Sequence, residues 1–181
     1  MSELKLQKRN KEAIERSLWV LLFVGFFTAS FAVGSETPIP VEESEQLKQE
    51  ITTKLEQAKA SSDSSFIFLN NAFIGLLMVI PFGIGIFIGL LSAFVTGLTV
   101  GAFDLEASAY LLLYTTPFGF IELMAYSVAM SSSLMLTKKI LKKDGKLIKK
   151  ELKFYGASCL IVVGLLFIGG IIENIMLGIT V

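Results

Sequence analysis

The chain has 181 residues, 53% of them hydrophobic, with a mean hydropathy of +0.68. It is too apolar for a soluble domain and too short for two large ones, so an integral membrane protein is expected. Sixteen basic residues balance sixteen acidic ones, and there is no histidine and a single cysteine. Without histidine the commonest general base and metal ligand are missing. One cysteine, Cys159, excludes an intrachain disulfide and a Cys-x-x-Cys site, and its apolar surroundings suit a small core residue. No metal, cofactor, catalytic residue or nucleic-acid partner is expected.

Residues 1–16 are polar and basic, with Lys5, Lys8, Arg9, Lys11 and Arg16. Ser17 to Gly34 then form an apolar run of 18 residues, enough for a transmembrane helix. The rival reading is a secretory signal, since the run ends in small residues. The run is long for the apolar core of a signal, so a retained anchor over 17–34 is expected.

Residues 35–65 form the one substantial polar stretch between apolar runs, with seven acidic residues and three lysines. Pro38 and Pro40 break structure. Leu47, Ile51, Leu55 and Ala58 then recur at helical spacing, a narrow stripe on an acidic helix. The plain reading is a solvated helix resting on the protein's own surface. The sharper reading is a docking helix for a partner protein.

Phe66 to Phe103 carries no charge over 38 residues. A single helix of that length would run about 57 Å, nearly twice the hydrocarbon thickness. Pro81-Phe82-Gly83-Ile84-Gly85 supplies a break, which predicts two spans over 66–82 and 84–103. Asp104 and Glu106 interrupt the apolar run, and residues 107–116 are too few to cross. Those residues are expected to form a short re-entrant or interfacial segment. Thr116 then reads as an N-cap and Pro117 as the first residue of a fresh span over 117–137, with Gly119 in its first turn. Residues 138–153 hold eight lysines and two acidic residues, which marks a solvated cytoplasmic loop. Anionic lipid headgroups or an acidic partner are the alternative use of that loop. A last span is expected over 154–172.

Parity completes the topology. The basic N-terminus and the lysine loop lie inside and the acidic segment outside, so an odd number of crossings separates the last two. The expectation is an all-α bundle of five transmembrane helices, N-terminus in and C-terminus out, in the cell membrane. This arrangement places Asn70, Asn71, Thr96, Glu122, Glu173 and Asn174 at one level, in the outer leaflet. They read either as polar glue between helices or as a cavity for a substrate, ion or partner segment. Gly85/Gly89 and Gly97/Gly101 form two Gly-x-x-x-Gly pairs, a sign of close packing inside the bundle or between copies of the chain.

Four features from Phe66 onward resemble the stage II sporulation protein M family of membrane proteins. They are the Asn70-Asn71 pair, the Thr96-Gly97-Leu98-Thr99-Val100-Gly101 run, the Pro117-Phe118-Gly119-Phe120-Ile121-Glu122-Leu123 motif, and Glu173. The family's histidine in the central motif is Phe118 here, and its asparagine before Gly97 is Thr96. Any role of the imidazole is therefore absent. The resemblance implies a non-enzymatic membrane scaffold, of the kind that holds peptidoglycan-cleaving enzymes in spore formers.

The expected function is that of a scaffold or subunit of a membrane complex, with membrane lipids around it. Partner proteins would meet residues 35–65, and a homo-oligomer is compatible with the glycine pairs. The first alternative is the membrane module of a transporter or permease with a polar site around Glu122. An intramembrane enzyme is disfavoured by the missing histidine and metal-ligand set.

Overall fold

The computed structural model describes residues 3–61, 65–103, 115–143 and 145–176. Among these residues there are six α-helices and no strand. They are α1 (Glu3–Glu36), α2 (Val41–Ser61), α3 (Ser65–Leu77), α4 (Ile84–Ala102), α5 (Pro117–Leu141) and α6 (Gly145–Met176). Stretches within α1, α4, α5 and α6 are long and apolar enough to cross a membrane. At 13 residues, α3 measures about 20 Å and falls short of the hydrocarbon thickness by itself. The segment expected over 107–116 lies outside the described residues except at Thr115 and Thr116, as do Asp104 and Glu106.

The central helix is α5. Its apolar window is 67% buried, against 28% or less in the other long helices. It starts where Pro117 occupies the first turn, a position whose missing N–H costs a helix nothing. Thr116 sits in the N-cap position in extended conformation, but its side chain makes no capping bond. Its carbonyl joins the helix, accepting from the Phe120 N–H at 3.1 Å.

Around α5 the closest pairings are α1 with α4 and α5 with α6, while α3 packs mainly on α6. Phe23, Phe27 and Phe31 recur every four residues along α1 and are all buried, with the Phe27 ring stacked on Tyr126 at 5.7 Å. Met130 of α5, Ala93 of α4, and Val162 and Leu166 of α6 complete the same core. In a bilayer this interior gains from close packing, because lipid tails are as apolar as leucine.

All four expected glycines lie in contacts within the chain. A Cβ on Gly97 would collide with the Phe31 carbonyl of α1, and one on Gly101 would lie 2.5 Å from the Ser35 carbonyl oxygen. Those contacts bring α1 and α4 together side by side and parallel. Gly85 faces the Met78 and Ile80 carbonyls, and Gly89 faces the Met130 sulfur.

The break between α3 and α4 is a turn over Met78–Gly83, in which Met78 and Val79 are buried. Phe82 and Gly83 both have positive φ, 63° and 82°. Helical hydrogen bonding gives way here to tighter turn bonds, from the Val79 and Ile80 N–H groups to the Leu76 and Leu77 carbonyls, and side chains of α5 and α6 add to them. The Tyr155 hydroxyl donates to the Val79 carbonyl at 3.1 Å, and the Ser133 hydroxyl to the Ile80 carbonyl at 2.6 Å. The Phe82 N–H donates to the Thr137 hydroxyl at 2.7 Å. Non-helical backbone survives at membrane depth only when protein or water satisfies it in this way.

Candidate functional site

The first candidate site lies where α3 and α5 begin and α6 ends. The Asn71 amide donates to the Glu122 carboxylate across the α3–α5 contact. Asn70 is exposed and donates to Asn71 at 3.4 Å, a long bond between neighbours. From α6, Glu173 brings a second carboxyl within electrostatic reach of Glu122, and Asn174 beside it is buried. Tyr126, one turn further along α5, lies within electrostatic reach of both carboxyls. Asn71, Glu122 and Glu173 are thus brought together, with Asn70 at the edge.

Thr96 stands apart from that group. It is exposed on α4, and its hydroxyl turns back to the Ser92 carbonyl of its own helix at 2.9 Å. Its neighbour Gly97 faces α1, so α4 presents the threonine away from the bundle. Pro117 and Gly119 both lie in the first turn of α5, with Gly119 buried.

One contributor was missed. Gly169 of α6 lies directly against Glu122, and a Cβ there would sit 3.6 Å from the Glu122 Cγ and from the Ile121 Cγ2. Those are ordinary contact distances, so the turn of α5 that bears the carboxyl packs directly on α6 at this residue. The Gly169-Gly170 doublet in the last span was the available signal. No basic residue occurs between Phe66 and Thr137. The arrangement can therefore hold a proton or a cation between two carboxyls and an amide, or bind three helices as a polar knot.

A second polar site closes the opposite end. Three salt bridges tie α1 to the α5–α6 hairpin. One Arg16 nitrogen is 2.7 Å from both oxygens of Glu151, Lys138 is 3.2 Å from Glu15, and Lys150 pairs with Glu12. Arg16 also lies 4.6 Å from the centre of the Phe154 ring, and Lys138 lies 4.1 Å from that of Trp19. Glu151 is only 3% exposed. The lysine loop is therefore partly an internal clamp, where the sequence suggested a solvated segment. Glu12, Glu15 and Arg16 share one helical face, which was the signal for it.

At the first end, α2 leads away from the bundle. Ser44 donates to the Ala102 carbonyl at 3.2 Å, and Leu47 and Ile51 are half-buried. The side chains of Leu55 and Ala58, the rest of the expected stripe, lie outside those described. Glu42, Glu43, Glu45 and Glu50 are exposed. Among the described residues no cluster of three or more potential metal ligands occurs.

A family model described as Stage II sporulation protein M matches residues 18–176. Neither a curated protein nor a solved structure matches the chain.

Proposed function

This chain belongs to the stage II sporulation protein M family, and from that premise we propose that it is a non-enzymatic scaffold of a membrane protein complex. It would cross the cell membrane five times, with its N-terminus inside and its C-terminus outside. In this reading α3 and the buried turn after it together make the second crossing. The side-chain bonds to Val79, Ile80 and Phe82 support that, because they spare the turn an exposed backbone. Helix α2 meets the partner outside, in a role linked to remodelling of the cell envelope.

The observation that carries the reading is α2 itself. It is a 21-residue acidic helix that the bundle scarcely covers, with its carboxylates exposed. A helix polar nearly all round either bridges to something or lies in solvent. The test is affinity purification in mild detergent from native membranes, with a variant in which residues 41–61 are replaced by a flexible linker. The variant should keep the Tm of the bundle and lose the co-purifying protein. Equal recovery of that protein by the variant rules α2 out as its docking helix.

A second reading, a transport module, rests on the paired carboxyls Glu122 and Glu173. Glu122→Gln keeps the shape and the bond to Asn71, whereas Glu122→Leu removes both. If the site is a polar knot, the Gln variant keeps wild-type stability and complex formation while Leu lowers the Tm. If it conducts protons or a cation, Gln abolishes function with stability intact.

A further inference from the structure

The ion pairs at the α5–α6 hairpin sort its lysines into two groups. Lys138 and Lys150 are paired with Glu15 and Glu12 of α1. Glu151 is buried against Arg16, and this sets the rotation of α6 about its axis. Lys149 and Lys153 each lie two residues from Glu151, about 200° around the helix. They therefore stand on the opposite face, one turn apart, and both are exposed. Lys146 continues that face toward the hairpin turn, where Lys142 and Lys143 are exposed as well.

The same face continues into the apolar part of α6 as Gly156, Leu160 and Gly164. Leu160 is 77% exposed, and a Cβ added at Gly156 or Gly164 would meet nothing within 4 Å. This surface thus combines cations at one end with an open apolar track directly beyond them. The notch at Gly156 lies one turn from Lys153.

We propose that this outward face of α6 binds an anionic phospholipid, with Lys149 and Lys153 holding the headgroup phosphate and an acyl chain lying along Gly156 and Leu160. Charge complementarity selects the headgroup, because clustered lysines at a membrane edge attract anionic lipid. Length selects a lipid over a small anion, because the apolar track begins where the lysines end. The proposal needs only that α6 crosses a bilayer, and it is independent of the scaffold reading.

The test uses the full chain in mild detergent, with phosphatidylglycerol or phosphatidylcholine of matched chains added. Native mass spectrometry reads lipid retained, and a thermal scan without added lipid reads Tm. The wild type should retain phosphatidylglycerol in preference to phosphatidylcholine. The double variant Lys149→Gln/Lys153→Gln should retain it about tenfold less, with an unchanged Tm. Lys138→Gln, which removes a lysine engaged with Glu15 and not on this face, should leave the preference intact. Gly156→Trp should reduce retention with both lysines present, and it decides the matter if the double variant does not fold. Undiminished preference in the double variant overturns the proposal. So does equal retention of the two lipids. Displacement by glycerol phosphate as effective as that by whole lipid would reduce the site to one for small anions, and overturns it too.

Discussion

At the residue scale, the most consequential pair is Arg16 and Glu151, both of whose carboxylate oxygens lie 2.7 Å from one guanidinium nitrogen. Glu151 is buried where water scarcely reaches it, so its partner matters more than an exposed partner would. Arg16→Ala should cost about 3 kcal/mol of stability by leaving that carboxylate unpaired. Arg16→Ala combined with Glu151→Leu should recover much of the loss, because no unpaired charge then remains. Thermal unfolding in detergent checks both. A silent Arg16→Ala would mean that Glu151 finds another cation or water. Lys138 gives a milder case, since it and Glu15 are both substantially exposed and surface pairs contribute little.

At the element scale, the α1–α4 seam depends on glycines. The Cβ position of Gly97 is already occupied by the Phe31 carbonyl, which is backbone and cannot swing aside. Gly97→Leu should therefore push the helices apart, at a cost of about 1–3 kcal/mol, seen as a lower Tm and poorer recovery from membranes. Wild-type behaviour would place this face of α4 against lipid. Gly25, Gly156 and Gly164 give the contrast, because space is open around each of them. The turn between α3 and α4 follows similar logic with polar groups. Its Val79 and Ile80 carbonyls are held by the Tyr155 and Ser133 hydroxyls, so the break in helix is matched by donors on its neighbours.

At the scale of the molecule, the two ends differ in chemistry. One carries α2 and the carboxyl group of Glu122 with its neighbours. The other carries the lysines and the ion-pair clamp. The proposed orientation puts the lysine end in the cytoplasm. In a Cys159→Ser background, Gln49→Cys on α2 should react with an impermeant thiol reagent in intact cells. Lys142→Cys at the end of α5 should react only after lysis. Both positions are exposed, so access to the reagent is set by the membrane alone. The opposite pattern would invert the molecule, and labelling of both positions before lysis would end the five-crossing arrangement.

The sequence by itself determined the class and the family. Apolar runs of membrane length, the proline breaks and the central motif around Glu122 lie in the order of residues, and an all-helical protein of the expected family follows from them. The meeting of Asn71 with Glu122 was also legible, because parity puts the starts of α3 and α5 at one end. Rotation of each helix about its axis was not. It is set by side-chain packing between helices that are distant in the chain, and a hydrophobic run that faces lipid on one side and protein on the other carries little amphipathic signal. For that reason Thr96 faces outward beside an inward Gly97, and Gly169 lies unannounced against Glu122. The glycine pairs announced close approach, but only the tertiary structure chose α1 as the partner of Gly97. It also decided which lysines pair with Glu12 and Glu15: the shared face of those α1 residues is local, but the choice among lysines more than a hundred residues away is not.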